Sequence, residues 1–421
     1  MKSSATTTAL AFAGTLLALC GSADAAPPLT LGYLGQQIVP SGTPFASTTV
    51  GGLSGIDYNP ASGSYFAISD DRSALSPARF YELSLNLTQF RRSATPGMAG
   101  VGFMNVTTVL TPGGTPFATN TVDPESLRYN PATGTFYWSN EGQRIAGGLQ
   151  APTVREMGRD GSHLRSFAVP TRYLPLGSAG GNQPGDSGIV NNLAFESLTL
   201  SIDGRTLYTA TENALVQDGP VATLNNGSAA RLLSFDIATG ASRAEYVYNV
   251  GPVALPPQPA GGFATNGLVD LLAIGEQQFI AVERSFAAGA ATPGTPVTGN
   301  TIRLYHVDAR HATDVSALDS IAGLAHIVAV DKTLLLDLSD LRNDDGSALA
   351  LDNIEGLTWG PLVNGQQTLI LVADNNFSPS QFTQFVALSV TPVPEPRTLA
   401  LSFFGLLVLG AVVRRRRPVP N

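Results

Sequence analysis

The apolar positions of this chain fall in short runs separated by glycine, proline and other turn-forming residues. Short apolar runs bounded by turn signals are typical of β-strands. No long segment between residues 27 and 391 repeats its apolar positions with the roughly 3.6-residue period of a helix. The pattern therefore predicts an all-β fold built from many short strands.

A repeated hairpin organises these strands. Residues 55–70 align without gaps with residues 126–141, the same frame fits residues 197–212, and weaker copies occupy residues 270–283 and 355–374. Each copy is predicted to form a strand, a tight turn and a returning strand. The first four copies close on acidic residues at a constant spacing of 71 positions, namely Asp70, Glu141, Glu212 and Glu283. Equal spacing indicates equal structural units.

A third strand-like segment follows each hairpin, and in the first four units an arginine lies at its head. These arginines are Arg79, Arg155, Arg231 and Arg303. Antiparallel units of this size are too short to bury both faces alone, and they close radially into a propeller. We therefore expect a β-propeller-like domain of five or six blades that spans residues 27–391.

The hairpins place acidic side chains at the end away from their turns. In most copies an acid in the first strand lies across from the closing acid of the second strand. The pairs are Glu125 with Glu141, Glu196 with Glu212, Asp270 with Glu283, and Glu355 with Asp374, whereas the first copy has Ser54 opposite Asp70. Because the blades of a propeller point the same way, we expect these acids to gather on one face and, if their strands are the inner ones, to ring the channel.

Crowded carboxylates repel and desolvate one another, so a counter-charge is needed. Ca²⁺ is a suitable one, because it accepts six to eight oxygen ligands from flexible loops. The predicted Ca²⁺ ligands are Asp70, Glu125, Glu141, Glu196, Glu212, Glu283, Glu355 and Asp374. In the alternative, each acid caps a strand or pairs with the arginine of its own blade. The sequence leaves both interpretations open.

Net charge argues against one class of partner. The chain has 24 basic and 32 acidic residues, a formal charge of −8, and removing the two end segments, with their six basic and two acidic residues, leaves −12. Such a surface repels nucleic acid and suits cations. The one cysteine, Cys20, lies in the N-terminal segment, so the remaining chain is held together by neither disulfides nor thiolate zinc sites.

The two ends resemble sorting signals. Residues 1–25 combine an apolar run with a small-residue cleavage site, which predicts a secretory signal peptide. Residues 392–421 contain a Pro394-Glu395-Pro396 motif, an apolar run over residues 399–413 and a basic end. This order resembles the PEP-CTERM signal of Gram-negative bacteria, which implies an exosortase as partner. We expect an exported protein of the cell envelope or exterior, held in the cytoplasmic membrane by its tail transiently or permanently.

The repeats also resemble a known family. The motif-bearing segments at residues 123–127, 194–198, 282–286 and 353–357, with Gly52-Leu53-Ser54-Gly55 and Arg79-Phe80-Tyr81, are similar to the bacterial "esterase-like activity of phytase" family. The resemblance extends over nearly the whole chain between the end signals. It implies a propeller-like domain that hydrolyses phosphate esters or other esters, with catalytic residues that the resemblance does not identify.

Two functions follow as expectations. In the first, the carboxylates hold Ca²⁺ for a metal-dependent phosphoesterase acting on a small-molecule ester, and Arg79, Arg231 and Arg303 bind substrate phosphate bidentately. In the second, a non-catalytic, calcium-stabilised propeller binds exopolysaccharide or another envelope component. An enzyme should line an open channel with both the acids and the arginines, whereas a structural ring should pair them within blades and leave the channel plugged.

Overall fold

The computed structural model describes residues 29–392, which form a five-bladed β-propeller. Each blade is a four-stranded antiparallel sheet. Helical structure in residues 29–392 consists of single 3₁₀ turns at Leu87–Gln89, Thr171–Tyr173 and Leu338–Asp340. The predicted all-β propeller is confirmed, and the blade number is five. The predicted signal peptide and sorting tail lie outside the described residues.

The described residues contain twenty-four strands, connected by tight turns within hairpins and by longer loops elsewhere. In chain order they are β1 (Leu29–Pro40), β2 (Pro44–Phe45), β3 (Thr48–Thr49), β4 (Leu53–Asn59), β5 (Ser64–Ser69), β6 (Arg79–Leu85), β7 (Val101–Thr108), β8 (Pro124–Asn130), β9 (Thr135–Asn140), β10 (Gln143–Ile145), β11 (Gly148–Gln150), β12 (Thr153–Met157), β13 (His163–Ser166), β14 (Thr199–Leu200), β15 (Thr206–Ala210), β16 (Ser228–Asp236), β17 (Ser242–Val250), β18 (Ala264–Gly275), β19 (Gln278–Ala287), β20 (Asn300–Asp308), β21 (Asp331–Asp337), β22 (Asn353–Trp359), β23 (Gln367–Asp374) and β24 (Phe382–Pro392).

Blades 1 to 4 follow the chain, and blade 5 is shared between its two ends. Blade 1 contains β4 to β7, blade 2 contains β8, β9, β12 and β13, blade 3 contains β14 to β17, and blade 4 contains β18 to β21. In blade 5 the order is β22, β23, β24 and β1, so the N-terminal strand pairs with the C-terminal one. Strand β1 therefore pairs with the edge of β24 and closes the propeller.

An asparagine and a glycine stabilise the turn of the repeated hairpin. The side-chain oxygen of Asn59 accepts the backbone N–H of Ala61, and Gly63 adopts a positive φ of 70°. Asn130 and Gly134 repeat this arrangement in blade 2. Asparagine stabilises the turn by this local hydrogen bond, and glycine accepts the left-handed backbone that ends it.

Apolar side chains pack between neighbouring blades and form the core. Phe66 and Phe80 of blade 1 contact Phe136 of blade 2, with ring centroids 4.7 and 4.9 Å apart. Between blades 4 and 5, Val282 packs in one buried cluster with Leu357. Because each blade buries both faces against its neighbours, no blade has a complete core alone.

A buried ion pair closes the centre of the propeller. Arg128 of β8 places Nη2 2.8 and 2.9 Å from the two carboxylate oxygens of Asp270 in β18. Arg128 also donates to the carbonyl groups of Ile56 in blade 1 and Leu198 in blade 3. Asp270 accepts the backbone N–H of Leu357 in blade 5. This axial ion pair, Arg128 with Asp270, thus connects all five blades.

The described residues hold no candidate membrane span. Within residues 29–392, no helix is long and apolar enough to cross a bilayer.

Candidate functional site

Eight acidic residues from four blades converge at one end of the propeller axis. Each lies at or beside the end of one of the first two strands of its blade, which are the strands nearest the axis. We call this set the carboxylate ring, and its members are Asp70, Asp123, Glu125, Glu141, Glu196, Glu212, Glu355 and Asp374. Seven of them were predicted to meet, and the structure brings them together. Asp123 was not predicted.

The acids of blades 2 and 3 are the most tightly packed. One carboxylate oxygen from each of Asp123, Glu125 and Glu141 can be chosen so that all three lie within 4.8 Å of one another. The same is true of Glu141, Glu196 and Glu212. Glu141 therefore belongs to both triads. It also accepts the backbone N–H of Ala194 at 2.8 Å, and Nη2 of Arg72 lies 4.0 Å from its Oε2.

Burial and mutual repulsion perturb these carboxyl groups strongly. Burial, with the neighbouring carboxylates of Glu196 and Asp123 respectively, raises the pKa of Glu125 and of Glu141 well above the ordinary glutamate value. Burial raises the pKa of Asp70 to about 8, reinforced by Glu355. Burial also raises the pKa of Glu212 to about 7, against the opposing effect of Arg284. A charge-compensating group is needed before these acids ionise together near neutral pH.

Three ring oxygens lack a hydrogen-bond partner, and one of them, Oδ2 of Asp123, lies 2.5 Å from Nη2 of Arg72. The other two are Oδ1 of Asp70 and Oε1 of Glu212, and the Glu212 residue is only 1% exposed. Both carboxylates pack against glycines, since a Cβ at Gly52 or Gly267 would lie 2.0 Å from the orphaned oxygen. An unsatisfied buried acceptor is costly, and these oxygens together with the triads offer the hard ligands that Ca²⁺ or Mg²⁺ prefers. The donor set therefore fits a divalent cation.

Two arginines accompany the ring. Arg284 of blade 4 lies 3.2 Å from Glu355 and 3.6 Å from Glu212. Arg72 of blade 1 contacts both oxygens of Asp123, at 2.7 and 2.5 Å, and donates to Asn192 at 2.7 Å. Neither arginine was predicted from the sequence. They neutralise part of the ring and offer N–H donors beside it.

Blade 4 departs from the predicted repeat by one residue. In blade 5, Val372 pairs with Gly356 across a bulge, and Asp374 follows two residues later. In blade 4, Val282 pairs with Asp270 across the corresponding bulge, so the residue two positions later is Arg284. A shift of one residue turns a side chain to the other face of its strand. Arg284 therefore occupies the ring position that the 71-residue spacing assigned to Glu283.

Glu283 and Asp270 consequently lie apart from the ring. Glu283 contacts the Tyr248 hydroxyl at 2.9 Å and the Lys332 ammonium at 2.6 Å, between the outer parts of blades 3 and 4. Asp270 belongs to the axial ion pair. The structure therefore does not bring the predicted pair Asp270 and Glu283 into the ring, because Asp270 occupies the position of Gly356 in blade 5 and Glu283 that of Ala373.

The three arginines predicted to bind phosphate are engaged inside their own blades. Arg79 contacts Asp71 at 2.7 Å, Arg231 contacts Asp218 and Glu245 at 2.6 and 2.9 Å, and Arg303 contacts Asp337 at 2.8 Å. None of the three lines a cavity beside the ring. Because they lie away from both cavities, they are not placed to bind a phosphate there.

Two connected cavities open above the ring. The first, which we call the ring cavity, has a volume of about 450 Å³ and is lined by Asp70, Glu125, Glu196 and Arg72 among others. The second, the side cavity, has a volume of about 840 Å³ and lies toward blades 3, 4 and 5. Both are bordered by Asn192, Arg284, Glu355 and Asn376. A molecule bound in one cavity can therefore extend into the other.

Comparison with known proteins gives a match to a family and a match to one curated protein. A family model described as "Phytase-like: Esterase-like activity of phytase" matches residues 48–377. A curated protein of Arthroderma benhamiae, described as an uncharacterized secreted protein, is 32% identical over 166 residues. That match covers 38% of this chain, and the chain spans only 31% of the relative's length.

Solved structures share the general fold at low similarity. An N-acetylgalactosamine deacetylase from F. plautii, solved with blood group B trisaccharide, has a TM-score of 0.40 and 11% identity over 87% of this chain and 96% of that chain. The Dos1 propeller has a TM-score of 0.33 and 7% identity over 80% of this chain and 68% of that chain. Scores this low carry no functional argument.

Proposed function

The chain belongs to the phytase-like family described by esterase-like activity, and on this basis, together with its carboxylate ring, we propose that it is a metal-dependent hydrolase of phosphate esters. The observation that supports the proposal most is the pair of carboxylate triads that share Glu141 beside a cavity of about 450 Å³. Ca²⁺ is the proposed ion, because the ring supplies many carboxylate oxygens and Ca²⁺ binds about six to eight oxygen ligands.

The ring residues have distinct proposed roles. Glu141, with Asp123, Glu125, Glu196 and Glu212, would hold the cation. A bound divalent cation supplies charge neutralisation for a phosphate and a water of lowered pKa. The acids then exist as carboxylates, because the positive charge favours their ionised form.

The two arginines beside the ring are proposed to orient the substrate. Arg284 lines both cavities, and its Nε is buried without a hydrogen-bond partner. Arg72 lines the ring cavity, and 31% of its side chain is exposed. Guanidinium groups donate paired hydrogen bonds to phosphate oxygens. These residues take the role that the sequence assigned to Arg79, Arg231 and Arg303.

The proposed site of action is outside the cytoplasm. The N-terminal residues carry the features of a signal peptide, and the Arthroderma relative is described as secreted. The C-terminal residues carry the motif order of an exosortase-processed tail. We extend the proposal to an ester hydrolase of the cell surface that is anchored through this tail before processing.

Hydrolysis assays test the proposal. The purified protein is incubated with p-nitrophenyl phosphate, phytate or p-nitrophenyl acetate, in Ca²⁺ or in EDTA. Phosphate release that requires Ca²⁺ is the expected result. Equal phosphate release in EDTA would contradict the metal mechanism, and turnover of the acetate alone would replace phosphate esters by carboxylate esters as the substrate class.

A second function is favoured by a specific observation. The axial ion pair closes the channel, and Arg79, Arg231 and Arg303 pair within their blades. This is the arrangement expected of a calcium-stabilised propeller that binds an envelope component or exopolysaccharide without catalysis. A folded protein that binds Ca²⁺ and turns over none of the three substrates would favour this alternative.

Substitution Gly267→Ala is expected to weaken Ca²⁺ binding by about tenfold or more. The added Cβ would lie 2.0 Å from Oε1 of Glu212 and 2.1 Å from its Cγ, so the carboxylate must leave its position. Calorimetric titration with Ca²⁺ measures the affinity. Gly113→Ala is the matched control, because its Cβ would have no neighbour closer than 3.6 Å. Unchanged affinity in Gly267→Ala would argue against Glu212 as a ligand.

The metal-free protein is expected to lose stability as the pH rises from about 4 to about 8. Ring carboxyl groups have folded pKa values raised above their unfolded values, to about 7 for Glu212 and about 8 for Asp70. The folded state therefore binds more protons than the unfolded state in this window, and the free energy of unfolding falls with pH. Ca²⁺ binds the deprotonated ring and should reduce or reverse the loss.

The measurement is the unfolding temperature across this pH range in EDTA and in Ca²⁺. In EDTA we expect a decrease of several degrees. An unfolding temperature in EDTA that rises steadily up to pH 8 would contradict the raised pKa values.

A further inference from the structure

The side cavity differs in chemistry from the ring cavity that it joins. Its wall includes Phe263, Phe286 and Val297 from blade 4. Phe263 is 68% exposed and Val297 is 59% exposed, although both are large apolar residues. The rings of Phe263 and Phe286 lie 6.1 Å apart. A partly exposed aromatic pair in a concave site is typical of a ligand-binding surface.

The side cavity also contains polar side chains with hydrogen-bond acceptors. Asn300 lines it and is 2% exposed, and its side-chain Oδ1 is buried without a hydrogen-bond partner. Asn191, Asn192 and Asn353 also line the cavity. An orphaned amide oxygen accepts an O–H or N–H group, so the cavity combines an apolar wall with acceptors for hydroxyl donors.

The charge of the side cavity restricts its occupant further. Among the described residues that line it, Arg284 is the one basic side chain, against the acids Glu212, Asp352 and Glu355. Phytate carries a phosphate on each ring carbon, and each phosphate adds about −1.5 to −2 charges. The side cavity has no cluster of cations to receive such a polyanion.

We propose that the side cavity is the leaving-group subsite and that it takes an uncharged, hydroxylated ring, as in a sugar monophosphate, in preference to phytate. This inference rests on the proposed function, because it assumes that the phosphate lies at the ring. Arg284 and Glu355 line both cavities. A phosphate in the ring cavity and a sugar in the side cavity would therefore lie side by side. Phe263 packs on the apolar face of the sugar, and Asn300 accepts one of its hydroxyl groups.

Steady-state kinetics in Ca²⁺ with glucose 6-phosphate, methyl phosphate and phytate test the subsite. We expect kcat/KM for glucose 6-phosphate to exceed the values for methyl phosphate and phytate by about tenfold or more. Phe263→Ser should raise KM for glucose 6-phosphate about tenfold, leave kcat within about twofold, and leave methyl phosphate unaffected. Leu362→Ser is the matched control, because Leu362 is 67% exposed and lines neither cavity.

A binding measurement separates this inference from the proposed function. Ligand-observed NMR with methyl glucoside detects contact without turnover, and the contact should disappear in Phe263→Ser and in Asn300→Leu. Equal kcat/KM for the three esters, with no effect of Phe263→Ser, would overturn the subsite and leave the hydrolase intact. Glucoside contact that depends on Phe263, with no ester hydrolysed, would support the subsite and overturn the hydrolase.

Discussion

Substitution Glu141→Gln is expected to lower Ca²⁺-dependent hydrolysis by about 100-fold or more and, in EDTA, to stabilise the protein. Glu141 belongs to both carboxylate triads, so its loss removes a shared ligand. Without metal the buried acid is costly, because burial and Asp123 raise its pKa well above the ordinary value. Glutamine keeps the hydrogen bond to Ala194 and avoids that cost, which is on the order of 1–3 kcal/mol near pH 7.5.

Activity assays and urea unfolding in EDTA measure the two effects. Glu283→Gln is the control, because Glu283 is also a buried glutamate but pairs with Lys332 away from the ring. It should retain activity and lose stability, the opposite of Glu141→Gln. If Glu141→Gln retained full activity, or lost stability in EDTA, the ring would not be a strained cation site.

Substitution Arg128→Leu is expected to reduce the free energy of unfolding by about 3–5 kcal/mol. It leaves Asp270 as an uncompensated charge at the centre of the propeller, where both side chains are at most 2% exposed. It also removes donors from the carbonyl groups of Ile56 and Leu198, and so disconnects the blades at the axis. Urea unfolding monitored by circular dichroism measures the loss.

Two further variants keep this prediction testable if Arg128→Leu fails to fold. Asp270→Asn removes the charge but keeps the shape, and the double variant Arg128→Leu/Asp270→Leu, which leaves no buried charge, should be more stable than Arg128→Leu alone. Arg303→Leu is the control, because Arg303 is 35% exposed and its pair with Asp337 should contribute only about 0–1 kcal/mol. A loss below about 1 kcal/mol for Arg128→Leu would show that the axial ion pair is dispensable.

Local signals in the sequence were enough to predict the blades and most of the ring. The turn built on Asn59 and Gly63 recurs at Asn130 and Gly134, so the hairpins could be aligned without the structure. Because the blades of a propeller point the same way, acids at equivalent positions of the aligned hairpins were expected to meet on one face of the propeller. The pairing of β1 with β24 depends on residues at opposite ends of the domain, and no local pattern predicts it.

The errors at the site have physical causes that spacing does not reveal. In blade 4 the ring position falls 72 rather than 71 residues after Glu212, and because side chains alternate along a strand, Arg284 replaces Glu283 in the ring. Asp123 has no counterpart in the other repeats. Arg79 and Arg231 find partners in loop acids, Asp71 and Asp218, whose positions depend on tertiary structure.

Calorimetric titration with Ca²⁺, after dialysis of the purified protein against EDTA, tests the central claim most directly. At neutral pH we predict saturable binding that releases protons, because binding favours the ionised form of ring carboxyls whose pKa values are raised. The binding should be lost or much weakened in Glu141→Gln and retained in Glu283→Gln. A folded protein that shows no binding, or equal binding in both variants, would contradict the assignment of the carboxylate ring as a cation site.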